Sequence, residues 1–237
     1  MKIEVLADAE AVAARAAELI AQEAAAAVAV RGRFLLAVSG GRTPWMMLRA
    51  LADRDLPWPR VHVLQVDERV APAGHADRNL THLRASLLAH APLPEEQVHA
   101  MPVELADPEL AAARYAAMLR SLAGTPMVLD LVHLGLGADG HTASLVPGDP
   151  ALEEAEADVA ATGLYQGRRR LTLTYPAIDR ARRVLWVVTG CDKATMLARL
   201  RAGDAAIPAG RVRQERALVL ADRAATTVPA VTPGCRR

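Results

Sequence analysis

The sequence predicts an α/β fold: three layers, with a mostly parallel central sheet flanked by helices in an open, Rossmann-like arrangement. Three observations lead there. Continuous apolar runs of strand length, such as Phe34 to Val38 and Val184 to Thr189, suit parallel strands buried on both faces. Stretches with apolar residues at helical spacing alternate with these runs along the chain. Polar or glycine-rich turns close four of the runs, which is where open parallel sheets bind ligands.

Taken in order, a short apolar run covers 3–6, and Asp8 follows as a helix N-cap. Val12, Ala16, Leu19, Ile20 and Ala27 then recur at helical spacing, with Arg15, Glu18, Gln22 and Glu23 on the other face. Gly32 ends that helix in the usual place. After the strand Phe34 to Val38 comes Ser39-Gly40-Gly41-Arg42-Thr43-Pro44, with Thr43 as cap and about eight helical residues from Pro44. A second buried strand, Val61 to Val66, ends at Asp67-Glu68-Arg69, and a third, Val128 to Leu134, ends in Gly135. Residues 147–170 carry Pro147, Gly148, Pro150 and Gly163 and read as an irregular excursion. Leu171 to Tyr175 alternates as a strand should, Val184 to Thr189 leads into a helix over about 192–201, and Arg216 to Ala221 closes the set.

The chain has 237 residues, 52% hydrophobic and 23% charged, enough to bury a sizeable core. No stretch has linker composition and no repeat is visible, so a single domain over 1–237 is expected. Lys and Arg number 28 against 27 Asp and Glu, so no global field invites nucleic acid or an anionic membrane. No uncharged apolar stretch has the length of a membrane span, and the first residues lack a signal-peptide core. The expectation is a cytoplasmic protein, as a monomer or small homo-oligomer. Cys191 and Cys235 make no disulfide framework and read as a buried thiol and a tail thiol. There are 26 Arg but only 2 Lys, which makes the internal Lys193 stand out.

The chemistry should lie at the four strand ends. Ser39-Gly40-Gly41-Arg42-Thr43-Pro44 places glycines before a helix N-terminus, where free N–H groups and the dipole favour phosphate. The alternative there is a plain tight turn. Gly135-Leu136-Gly137-Ala138-Asp139-Gly140-His141 matches a dinucleotide fingerprint, but Pro147, Gly148 and Pro150 forbid the long helix that a nicotinamide or flavin site requires. The loop serves better to deliver Asp139 and His141, a carboxylate that orients an imidazole base. Asp67 and Arg69 leave another strand, where Arg69 would hold an anion or oxyanion, although a solvated charge cluster fits equally. Arg170 precedes the alternating strand, and Lys193 sits near a helix start, where its charge is disfavoured unless an anion accompanies it. No metal-ligand spacing, nucleophile elbow or aromatic stacking platform appears.

At these residues the sequence resembles the glucosamine-6-phosphate isomerase/6-phosphogluconolactonase superfamily, on its lactonase branch. Five segments in order carry the resemblance: Leu36 to Pro44; Val66-Asp67-Glu68-Arg69-Val70 with Asn79; Leu134 to Leu145; Arg170 to Thr174; and Gly190-Cys191-Asp192-Lys193. The resemblance implies hydrolysis of a 6-phosphorylated sugar lactone without metal or organic cofactor. It implies His141 as general base, Arg69 on the substrate and its oxyanion, and Asp67 and Asp139 shaping a polar cleft. Ser39, Gly40, Gly41, Thr43, Arg170 and Lys193 would hold the phosphate. Arg42 stands where the family has a small polar residue, so it either adds a phosphate contact or points outward. Val146 stands where lactonases usually carry Phe and the deaminase branch carries Glu. The alternatives are a glucosamine-6-phosphate deaminase and a non-catalytic sugar-phosphate sensor.

Overall fold

The computed structural model describes residues 1–227. The elements run β1 (Lys2–Leu6), α1 (Ala9–Arg31), β2 (Phe34–Val38), α2 (Arg42–Ala52), β3 (Val61–Gln65), β4 (Asp67–Arg69), α3 (Asn79–Leu83) and β5 (Val98–His99). They continue with α4 (Pro108–Ala123), β6 (Leu131–Leu134), β7 (Val159–Ala161), β8 (Arg170–Leu173), α5 (Tyr175–Asp179), β9 (Arg183–Val188), α6 (Ala194–Arg201), β10 (Ala217–Asp222) and α7 (Arg223–Thr226). Seven strands form one parallel sheet in the order β1-β10-β9-β6-β2-β3-β5. This is the expected α/β architecture with its mostly parallel sheet. No helix among the described residues is long and apolar enough to cross a membrane.

Local chemistry sets the boundaries. Asp8 caps α1, its side chain accepting the Ala11 N–H, and Gly32 closes the helix with φ 73°. The helix lays Val12, Ala16, Leu19, Ile20, Ala24 and Ala27 against the sheet. On β2, Leu35 and Ala37 enter one core while Phe34, Leu36 and Val38 enter the other. Both faces are covered, so the strand reads as an unbroken apolar run instead of an alternation. Burying each such Leu, Val or Phe side chain stabilises the fold by about 1.5–3 kcal/mol.

Strand order reverses between β2 and β6. From β2 the chain winds outward through β3 to β5; from β6 it winds the other way through β9 to β10. The loops after β2 and β6 therefore diverge, and the crevice between them is the natural ligand site of such a sheet.

Four expectations are corrected. The strand read as Val61 to Val66 stops at Gln65, and Asp67–Arg69 is a strand of a second, antiparallel sheet in the order β4-β8-β7. Val66 is the corner: its N–H donates to the Val38 carbonyl and its own carbonyl accepts from Leu173. β6 starts at Leu131, because Asp130 is diverted to accept the Leu35 N–H and pair with Arg31. All four residues of β8 are buried, so its alternation marks no solvent face; Thr172 instead accepts the Ser144 N–H. Cys191 is half-buried and is not a free thiol, while Cys235 lies outside the described residues. The 16-residue helix α4, capped by Asp107 with Pro108 at its first turn, is an element the sequence reading omits.

Candidate active site

The loop after β2 is shaped by two close approaches. Gly41, with φ 131°, is the N-cap of α2, so the helix begins at Arg42 and Thr43 is inside it. The expected Thr43 cap is displaced because only glycine accepts that backbone conformation easily. Gly40 packs on Asn79 so closely that a Cβ would lie 2.1 Å from Oδ1. The buried Ser39 donates its hydroxyl to the His133 carbonyl (3.0 Å) and its N–H to His133 Nδ1 (3.2 Å), which ties β2 to β6. Thr43 Oγ1 meets Thr189 Oγ1 at 2.7 Å, joining this loop to the one after β9. Burial lowers the His133 pKa to about 3, so this imidazole stays neutral.

The loop after β6 turns back sharply and places His141 Nδ1 2.6 Å from Asp139 Oδ1. A carboxylate only accepts, so in the neutral imidazole Nδ1 is the nitrogen that carries the proton and Nε2 the one with the lone pair. Gly137 is needed beneath the ring, since a Cβ there would fall 2.1 Å from Nδ1. Partial burial works against ionisation of Asp139. Hydrogen bonds from the His141 backbone and ring and from the Tyr165 hydroxyl outweigh it and hold the carboxyl below its usual range.

The second sheet brings two arginines together. Arg69 on β4 lies directly opposite Arg170 on β8 in the antiparallel register. Like charges in that position repel. Arg69 donates through Nη1 to the Asp77 carbonyl (2.8 Å) and to Asn79 Oδ1 (3.0 Å), yet its buried Nε has no partner. Arg170 is only 4% exposed, bonds Gln166 at 3.3 Å, stacks over the Tyr165 ring at 4.9 Å, and also leaves Nε buried and unpartnered. Burial, and then the Arg69 charge, lower its pKa from the ordinary value. Asp67 accepts from Ser144 Oγ (2.7 Å) and from Asn79 (3.3 Å). Glu68 is fully buried, pairs with Arg78 at 3.1 Å, and accepts the N–H groups of Arg69, Asn79 and Leu80. Asp67 and Glu68 are thus no solvated cluster; they hold Arg69 and Asn79 in place.

The structure gathers Asp139, His141 and Arg170 into one network through Tyr165, and Asp67 and Arg69 into an adjoining one through Asn79. Lys193 follows Thr189 on the loop after β9 and is paired with Asp192 at 3.1 Å, which supplies an anion for its charge. Arg42, in the first turn of α2, lines a groove of about 690 Å³ with Trp45, Arg49 and His82. Among the described residues no group of three or more His, Cys, Asp or Glu could hold a metal ion. Tyr165 is the site residue that the sequence reading missed.

Residues 7–220 match the family described as glucosamine-6-phosphate isomerases/6-phosphogluconolactonase. The chain belongs to that family. A 6-phosphogluconolactonase from Nostoc sp. is 37% identical over 231 residues, covering 94% of this chain and 96% of that protein. The structure of a 6-phosphogluconolactonase from Thermotoga maritima superposes with a TM-score of 0.83 at 27% identity, covering 93% and 98% of the two chains. A monomeric glucosamine-6-phosphate deaminase superposes nearly as well, with a TM-score of 0.82 over 97% and 100% of the chains, but at 19% identity it shows a common fold alone.

Proposed function

We propose that the chain hydrolyses 6-phospho-D-glucono-1,5-lactone to 6-phospho-D-gluconate, in the oxidative branch of the pentose phosphate pathway, without metal or organic cofactor. The observation that carries this reading is the half-buried Arg69 opposite the buried Arg170, each with a buried, unpartnered Nε, beside a histidine whose free nitrogen is its base nitrogen. Two facing cations call for an anion between or near them, and the imidazole is placed to remove a proton from water.

In this reading Arg170, Lys193, Thr43 and the N–H groups of Gly40 and Gly41 hold the 6-phosphate at the start of α2, on the loop that Ser39 ties to β6. His141 Nε2 takes a proton from water as its oxygen attacks the lactone carbonyl. Arg69 faces the developing oxyanion, and the cleft floor is kept polar by Asp67. Collapse of the tetrahedral intermediate breaks the ring C–O bond, and the imidazolium proton is available to the departing ring oxygen. Asp139 stabilises that imidazolium while it exists. The leaving group stays tethered, so positioning, a base and oxyanion stabilisation suffice. We read the whole of 1–237 as one catalytic domain, cytoplasmic, working as a monomer or small homo-oligomer. The test is to assay the purified chain for lactone hydrolysis and, in parallel, for deamination of glucosamine 6-phosphate. Hydrolysis alone is expected; deamination without hydrolysis would overturn the assignment.

A further inference from the structure

Tyr165 sits at the tip of the β7–β8 hairpin. Its N–H donates to the Arg168 carbonyl at 3.0 Å, and the Arg168 N–H donates back at 3.2 Å. The two residues between them, Gln166 and Gly167, have φ of 51° and 76°. That is the two-residue hairpin turn whose twist suits the flanking strands, with one non-glycine residue held in the left-handed region.

The turn carries the tyrosine over the loop that follows β6. Its hydroxyl donates to Asp139 Oδ2 at 2.9 Å, while Asp139 Oδ1 accepts from His141 Nδ1 at 2.6 Å. The two carboxylate oxygens are therefore gripped from opposite partners. The ring lies edge-on to His141, with centroids 5.5 Å apart, and the Arg170 guanidinium lies over it at 4.9 Å from the centroid. Carboxylate torsions are soft, and Asp139 stands on an exposed turn. The bonds from the His141 ring and backbone N–H both fall on Oδ1 and leave the carboxylate free to swing about that oxygen; the bond to Oδ2 from a separate hairpin fixes it. Burial first, and then Asp139, raise the Tyr165 pKa, so the hydroxyl stays a donor wherever the imidazole works as a base.

We propose that Tyr165 is the positioning residue of this site: its hydroxyl sets the Asp139 carboxylate against His141, and its ring supports the Arg170 guanidinium. The proposal rests on the hydrolytic reading for its kinetic consequences but not for its structural ones. The titratable and charged groups facing the tyrosine are Asp139 and His141 from the loop after β6 and Arg170 from β8.

Two substitutions separate the two contacts. Tyr165→Phe keeps the ring and deletes the hydroxyl. It should lower kcat roughly 10-fold, on the order of one hydrogen bond to a charged group, with KM changed by less than about twofold. Without that bond the Asp139 charge acts more fully on the imidazolium, so the acid limb of kcat/KM moves to higher pH. Tyr165→Leu removes the ring as well and should also raise KM for the phosphorylated lactone, leaving KM for glucono-lactone unchanged. NMR titration of the His141 ring in ligand-free protein reads the same effect without turnover, and Tyr165→Phe should shift it upward by about half a unit. An unmoved titration with wild-type kcat in Tyr165→Phe would overturn the proposal. Wild-type protein inert on the lactone would sink the hydrolytic reading, and the titration would still decide the role of Tyr165.

Discussion

Replacing Arg170 with Met should cost function while leaving stability nearly unchanged, a combination that a structural arginine could not give. Methionine retains an unbranched stem of similar reach in a gap that Arg170 fills. Four contributions change in the folded protein. Removing one of two like charges that face each other across β4 and β8 relieves about 0.2–1 kcal/mol. Removing a buried Nε that has no partner relieves about 1–3 kcal/mol. Against these stands the loss of the stack on Tyr165, worth about 0.5–2 kcal/mol, and of the Gln166 bond, about 0.5–1.5 kcal/mol. The balance lies near zero, so the unfolding midpoint should move by no more than about 3 °C in a chain of this size. The proposed phosphate contact, by contrast, would be charge-assisted and worth about 1.5–3 kcal/mol, a roughly 10- to 150-fold loss in kcat/KM that falls mainly on KM. The assay is steady-state hydrolysis of the phosphorylated lactone, with spontaneous hydrolysis subtracted, beside thermal unfolding with and without inorganic phosphate. Wild type should be stabilised by phosphate and Arg170→Met much less so. A fall of 10 °C with unchanged KM would refute the reasoning, since Arg170 would then be holding the hairpin and not the substrate.

Two further outcomes are expected. Activity should survive exhaustive treatment with EDTA, because the described residues offer no metal-ligating group; loss on chelation and recovery with a divalent ion would contradict this. The buried neutral His133 has its pKa lowered from 6.5 to about 3, so the unfolded chain takes up a proton below 6.5 that the native protein refuses. Its contribution to stability is complete above pH 6.5 and is lost as pH falls from there towards 3; unfolding midpoints that stay flat from pH 7 to 4 would count against it.

Much of the sheet was legible because each central strand is covered on both faces and reads as an unbroken apolar run, as β2 and β9 do. Asp8 and Gly32 were legible too, since caps act locally. Helix α4 escaped although Asp107-Pro108 and Gly124 bracket it; its alanines make a weak apolar stripe, and tertiary packing by Tyr115 and Leu119 completes it. β4 escaped for another reason: three polar residues, Asp67-Glu68-Arg69, form a strand only because β8 pairs with them and because Glu68 finds Arg78. The same long-range pairing decides the site. Sequence placed Asp139, His141, Arg69 and Arg170 at loops and strand ends, but nothing local shows that Arg69 faces Arg170. Tyr165 was invisible for the plainest reason. Its partner Asp139 lies 26 residues back, and no spacing rule spans a hairpin folded over a separate loop.

The central claim is that His141, aligned by Asp139, is the base of a phosphosugar lactonase. The most direct measurement is kcat for hydrolysis of 6-phospho-D-glucono-1,5-lactone by the wild type and by His141→Ala, with folding of the variant verified by its unfolding midpoint. The account predicts a loss in kcat of about 10²–10⁴-fold, the range for removing a general base, with little change in KM. A folded His141→Ala enzyme that keeps wild-type kcat would contradict it.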